Sequence, residues 1–263
     1  MRKVPIVVFV DIDTVPPPDA LCGQRQAHLL ETLAHERIML VFCSDRTRAQ
    51  MESTRQAFGV FHPFVCEGGA AAFVPERYFG SDLENSRRIG GYQAIEFGTP
   101  YEDVVETLRR LSERLNVGVM GFNDMSVEQV SRECGLSLLE ARLAKLREHG
   151  EWFRMLFANP VAERRLIRAL EAAGLNCRQG DPFHHVGTAR GPGPAIAVLT
   201  TLYRVAFGNL MTACAGDGPL AREMAPCVDA PLPRRQMDLE EIANELDSLR
   251  DARLPTRAAR VAR

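Results

Sequence analysis

Two aspartates close an apolar run near the start of this chain, Pro5-Ile-Val-Val-Phe-Val-Asp-Ile-Asp13. Residues 6–10 have the length and the β-branched content of a buried parallel strand. The carboxyl ends of such strands are where open α/β sheets bind ligands. Side chains alternate along a strand, so Asp11 and Asp13 are expected on one side. Two carboxylates placed in this way suit a nucleophile with a general acid beside it, or two groups near one hard cation. The same spacing also occurs at solvated strand ends, and the Pro16-Pro17-Pro18 run is consistent with an ordinary turn.

Positioning such a pair takes a sheet. The first third alternates strand and helix: a helix over 24–36 with Leu29, Leu30 and Leu33 on one face, a buried strand over 38–42, and a helix over 47–58. A third strand starts at Phe64 and closes on Glu67-Gly68-Gly69, with a short strand over 70–74 behind it. Repeated β and α units of this size predict an α/β fold with a doubly wound parallel sheet. After about Asp82 the texture changes. Residues 92–97 alternate apolar and polar, Thr99-Pro100 opens a helix to about Leu115, and strands at 117–122 and 151–158 flank short helices at 126–134 and 137–148. Asn159-Pro160 caps a helix ending near Gly174, and residues 175–178 begin a further strand. The predicted organisation is a core of residues 1–83 and 187–237, an inserted α/β cap of 84–186, and a C-terminal helix and basic tail over 238–263. Leu239, Ile242, Leu246 and Leu249 share one face of that helix, and Asp238 and Glu241 have capping-box spacing. The helix is expected to cover the core; an exposed stripe would instead serve a partner, such as the second copy in a homodimer.

Composition excludes several classes of function. The 263 residues are 46% hydrophobic and 25% charged, with a formal net charge of -2, so no basic field points to a nucleic-acid partner. Seven scattered cysteines without Cys-x-x-Cys spacing fit a reduced, cytoplasmic setting and pack as small hydrophobes. Arg2 and Lys3 precede an apolar run broken too soon by Asp11 for a signal peptide or a membrane span, so no membrane partner is expected. His184 and His185 are adjacent, so on a strand they face opposite ways, and His185 is the one taken to line a cleft.

Two more strand ends join the first pair. Ser44-Asp45-Arg46 follows the strand over 38–42, and Gly216-Asp217-Gly218-Pro219 follows one over 210–215. Parallel strands bring these ends to one edge. Carboxylates from two strands make an oxygen-rich Mg²⁺ site, and a hydroxyl with an Arg between them can hold a phosphoryl group. The reaction class is metal-assisted phosphoryl transfer through an aspartyl-phosphate.

With these motifs the chain resembles the haloacid dehalogenase superfamily of phosphotransferases and, more narrowly, mannosyl-3-phosphoglycerate phosphatases and their relatives. The likeness extends to about Pro233. It is carried by Phe97-Gly98-Thr99-Pro100-Tyr101-Glu102, by Gly121-Phe122-Asn123-Asp124-Met125-Ser126-Val127-Glu128, by Gly135-Leu136-Ser137, and by Lys145-Leu146-Arg147-Glu148-His149-Gly150-Glu151. Glu67-Gly68-Gly69-Ala70 stands where the family has Glu-Asn-Gly-Ala. The resemblance implies Asp11 as nucleophile and Asp13 as general acid and base. It implies Mg²⁺ on the Asp11 carboxylate, the Asp13 carbonyl and Asp217, and phosphoryl contacts from Ser44. The substrate implied is a phosphorylated sugar-glycerate or a similar small phosphomonoester, with Asp124, Arg147, Glu151 and His185 as cap contacts.

The catalytic motifs depart from that pattern. Thr14 follows Asp13 where the family has Gly; Pro192 stands at the place of a lysine; Leu220 and Ala221 replace an Asn-Asp pair. The only lysines are Lys3 and Lys145, neither of them near that place. Losing one preorganised donor of charge stabilisation costs about 10²–10³ in rate. Arg190 and Arg46 are the candidate replacement cations on the phosphate, and Glu223 the candidate replacement acid. The second reading is a catalytically impaired protein of the same fold that binds a phosphorylated ligand or a protein partner.

Overall fold

The structure is a computed structural model that describes residues 3–17, 23–188 and 191–253. β1 (Ile6–Asp11) is buried along its whole length, as an unbroken apolar strand covered on both faces must be. α1 (Gly23–His35), β2 (Ile38–Cys43), α2 (Arg48–Phe58) and β3 (Phe64–Cys66) follow. β1, β2 and β3 pair in parallel in that order. A capping box at Thr47 and Gln50 starts α2 immediately after the Ser44-Asp45-Arg46 turn, which fixes where that turn ends.

β4 (Ala71–Pro75), β5 (Arg87–Ile89) and β6 (Tyr92–Glu96) then extend the same sheet with antiparallel pairing. The expected core–cap boundary at 83/84 is therefore too early. Ala94 pairs with Phe73 and Tyr92 with Pro75, and both pack into the main core, so residues 87–96 are core. The alternation over 92–97 reveals a strand but not which sheet it joins.

The cap comprises α3 (Tyr101–Leu115), β7 (Val119–Gly121), α4 (Val127–Cys134), α5 (Leu138–Ala144), β8 (Gly150–Met155), α6 (Pro160–Ala172), β9 (Asn176–Arg178) and β10 (His184–Gly187). Its four strands form an antiparallel sheet in the order β7-β8-β10-β9. One face of this sheet packs on α3 and α6 through Phe153, Val186, Leu108 and Leu166. Met120 and Trp152 join the cluster of α4 and α5 on the other.

The chain returns to the core through α7 (Gly193–Phe207), β11 (Met211–Ala215), α8 (Pro219–Met224), β12 (Ala230–Pro231) and α9 (Leu239–Arg253). β11 pairs in parallel with β1, giving an eight-stranded sheet ordered β12-β11-β1-β2-β3-β4-β6-β5. α9 covers the core: Leu239, Ile242 and Leu246 share a buried cluster with Ile6, Val8 and Val10 of β1. Among the described residues no helix is long and apolar enough to cross a membrane.

Core and cap are joined by a buried ion pair. Glu67 sits in the turn after β3 with a φ of 48°, a region that side chains other than glycine rarely adopt. Its carboxylate takes hydrogen bonds from Arg147 Nη2 (3.1 Å), Glu148 N (2.8 Å) and His149 N (3.1 Å), all in the segment between α5 and β8. Both side chains are 2% exposed. Arg48 Nε of α2 adds a 2.7 Å pair to Glu148, and Thr47 Oγ1 donates to Leu143 O at 2.9 Å. Breaking a buried pair from one side leaves an uncompensated charge. Glu67→Ala is expected to lower stability by about 3–5 kcal/mol, read as a shift of the urea midpoint, while an Arg48→Ala change at the half-buried pair costs about 1 kcal/mol or less.

Candidate active site

β1 delivers Asp11 to the sheet edge, where it is 2% exposed. The strand ends there, and residues Ile12–Thr14 form a 3-10 turn that carries Asp13 out to solvent. Strand alternation therefore does not place Asp13. Thr14 fits without glycine, since the positive-φ residues other than glycine are Arg37, Glu67, Arg77, Asn85 and Asn116 among those described. The Thr14 hydroxyl donates to Asp11 O at 2.9 Å and closes the turn.

The turn after β11 packs directly on Asp11. A Cβ on Gly216 would lie 2.7 Å from Asp11 Cβ, and one on Gly218 2.6 Å from Asp11 Oδ2. Only glycine allows this approach. Asp217, between them, is exposed. Backbone N–H groups of Ala221 and Asp13 donate to the Asp11 carboxylate. Burial, then the nearby Asp13 and more weakly Asp45, outweigh these bonds and push the Asp11 carboxyl up to about 6.

Asp13 is held by the next strand end. Its Oδ2 accepts from Ser44 Oγ at 2.7 Å and from Asp45 N at 3.4 Å, and its Oδ1 pairs with Arg46 Nε at 2.8 Å. The Ser44 hydroxyl in turn accepts from Arg46 N at 2.9 Å. The structure thus brings Asp13, Ser44 and Arg46 together, with Arg46 on Asp13 rather than free for a phosphate. Asp45 Oδ1 receives Arg178 Nη2 from β9 of the cap at 2.6 Å.

The resemblance implies Mg²⁺ on Asp11, the Asp13 carbonyl and Asp217. The donor chemistry fits: these are hard oxygens, and the acids that raise the Asp11 carboxyl leave negative charge that a divalent cation offsets. A different group, Glu96, Glu148 and His149, has ligand atoms within 4.8 Å of one another. Its carboxylates are paired with Arg87 and Arg48, so it serves as an ion-pair network between cap and core.

The remaining sequence candidates separate. His185 faces the core from the cap and lines a cavity of about 630 Å³ with Arg178, Gly68, Pro192 and Glu223. Glu151 follows the other strand face. It accepts from Tyr101 Oη (2.5 Å), Phe122 N and Asn123 N (both 3.1 Å), and lines a second cavity of about 440 Å³ with Asp124 and Arg109. Asp124 accepts from Gly121 N at 3.2 Å. Arg147 is spent on Glu67 and on Gly150 O. Arg190 lies outside the described residues.

The residues that depart from the family pattern are packed as follows. Gly69 approaches so closely that its Cβ would lie 2.4 Å from Gly191 O and 2.6 Å from Pro192 Cα. Leu220 and Ala221 turn into the core cluster beneath β1. Glu223 Oε2 lies against Gly191, on the cavity wall. Lys145 donates to Phe122 O and Met125 O, and Lys3 pairs with Glu36.

No protein-family model matches the chain. In fold it matches solved phosphatases of the haloacid dehalogenase superfamily. One, from Bacteroides thetaiotaomicron, has a TM-score of 0.57 at 14% identity, covering 95% of this chain and 94% of that one. Another, a subclass IIB sugar phosphatase, has a TM-score of 0.55 at 15% identity, covering 92% and 98%. These define an α/β haloacid dehalogenase fold with an inserted cap. In sequence, the glucosyl-3-phosphoglycerate/mannosyl-3-phosphoglycerate phosphatase of Methanococcoides burtonii is 34% identical over 226 residues, 86% of this chain and 83% of that protein. The chain belongs to that phosphatase family.

Arg178 is the residue that sequence reasoning missed. The strand begun at 175–178 places it, but only pairing with His185 shows that it shares the His185 face. For the metal-free protein, the raised Asp11 carboxyl has a stability consequence. Its folded value lies above the ordinary carboxyl value of 3.8, so ionisation opposes folding. That cost is absent below about pH 4, grows as pH rises through about 6, and stays above it. Asp11→Asn is expected to raise stability by about 1–3 kcal/mol at pH 8 in EDTA relative to pH 4, checked by urea melts at both pH values.

Proposed function

We propose that this protein is a Mg²⁺-dependent phosphomonoester hydrolase acting on a phosphorylated sugar-glycerate, as the names of its relatives describe for those proteins. The observation that carries the reading is the Asp11 carboxylate. It is buried at the end of β1, oriented by two backbone N–H groups, and enclosed by the Gly216-Asp217-Gly218 turn. A desolvated, fixed carboxylate is a competent nucleophile toward phosphorus.

In this mechanism an Asp11 oxygen attacks phosphorus and the ester P–O bond to the glycerate carbon oxygen breaks. Asp13 gives that oxygen its proton. Asp13 then takes a proton from water, which attacks the aspartyl-phosphate, releases inorganic phosphate and restores Asp11. Ser44 positions Asp13 through its 2.7 Å bond. Mg²⁺ bound to Asp11, the Asp13 carbonyl and Asp217 would supply charge neutralisation for the transferring group. Binding of a phosphorylated ligand without turnover is the second reading. It is favoured by the hold of Arg46 on Asp13 and by Pro192, which offers no charge.

Asp11→Asn is expected to abolish release of phosphate from glucosyl-3-phosphoglycerate, and EDTA to do the same reversibly with Mg²⁺ restoring it, both read by a phosphate-release assay. Wild-type protein that releases no phosphate while binding the ester selects the second reading. Gly218 has a φ of -73°, so Gly218→Ala imposes no backbone strain. Its Cβ displaces the turn or Asp11, and kcat should fall by about 10-fold to 100-fold with the melting temperature nearly unchanged.

A further inference from the structure

The cavity of about 630 Å³ between cap and core has one cationic side chain on its lining among the described residues, Arg178. Glu171 and Glu223 line the same space, and Glu67 is already neutralised by Arg147. Among the described residues, Arg178 is the side chain on this lining that would receive an anionic ligand. Arg178 gives an Nη2 bond to Asp45 Oδ1 at 2.6 Å, and among the described residues its guanidinium makes no second hydrogen bond. Asp45 thus orients the guanidinium and leaves most of its fork open. A guanidinium fork matches a carboxylate with two parallel hydrogen bonds.

Its position relative to the reacting end is set by the chain. Asp45 N donates to Asp13 Oδ2 at 3.4 Å while Asp45 Oδ1 holds Arg178, so a single residue separates Arg178 from Asp13. A 3-phosphoglycerate carries its ester oxygen and its carboxylate on the two ends of a three-carbon unit, a similarly short span. Beside Arg178 on the same sheet face lies His185, 5% exposed, whose Nε2 meets no partner. Burial, together with the charges of Arg147 and Arg178, keeps this imidazole neutral, so it adds a hydrogen-bonding nitrogen and no second charge.

We propose that Arg178 is the specificity-determining residue that binds the glycerate carboxylate of the substrate, an inference that rests on the phosphatase reading. Arg178 reaches across from the cap, so the carboxylate bridges cap and core while the phosphoryl group meets Asp11.

The test compares D-3-phosphoglycerate with glycerol 3-phosphate, which lacks the carboxylate, on wild type, Arg178→Ala and Arg178→Lys. Arg178→Ala should raise KM for 3-phosphoglycerate about tenfold or more while changing KM for glycerol 3-phosphate less than about threefold, with Arg178→Lys in between. Equal losses on both esters, or no loss on either, overturn the assignment; the first is what a structural contact to Asp45 alone predicts. If wild type hydrolyses neither ester and also releases no phosphate from glucosyl-3-phosphoglycerate, the phosphatase reading fails separately. Calorimetric binding of 3-phosphoglycerate to Asp11→Asn protein, with and without Arg178→Ala, then decides. Affinity that drops about tenfold keeps the role of Arg178, and unchanged affinity ends it.

Discussion

The buried contact between Glu67 and Arg147 is the constraint on which the site depends. Glu67 belongs to the core turn that also contains Gly68 and Gly69, and Arg147 to the cap segment before β8. Gly68 lies against Asp45 and Arg178, and Gly69 against Gly191 and Pro192. One short turn therefore holds the cap, the second strand end and the start of α7 in a fixed relation. The desolvation cost of two buried charges is offset only because the carboxylate also receives two backbone N–H groups. The unusual φ of Glu67 is consistent with a residue held by all of these contacts at once.

Charge is distributed across the site with few lysines to help. Three acids crowd the ends of β1 and β2, and two arginines answer them: Arg46 within the core and Arg178 from the cap. Arginine suits this use, because its planar fork can serve one carboxylate and still offer donors elsewhere. Pro192, where the family pattern has a lysine, lies on the cavity wall and offers no charge, so among the described residues positive charge comes from Arg46 and Arg178.

Much of this was legible in the sequence. The Asp11 run, the Ser44 turn and the Gly216–Gly218 turn each follow a buried strand, and parallel pairing converges them, so local pattern plus topology suffices. What was not legible depends on pairing between distant segments. Residues 87–96 look like the start of a new domain until Ala94 is seen opposite Phe73. Arg147 looks like a ligand contact by its motif, and only the fold brings Glu67 to it. Glu151 and His185 sit in adjacent strands, yet strand alternation sends them to different cavities. Arg178, on a three-residue strand, gives no periodic signal of its own.

The partners of β1 arrive from opposite ends of the chain. Ile6 pairs with Ile38 on one side and with Met211 on the other, and the cluster beneath it is completed by Leu246. During synthesis from N- to C-terminus, β1 must wait, half covered, while the whole cap is made. Contacts of such long sequence separation slow folding. The cap, drawn from one continuous stretch, has no such delay. The order of translation thus finishes the cap before the sheet edge that carries Asp11.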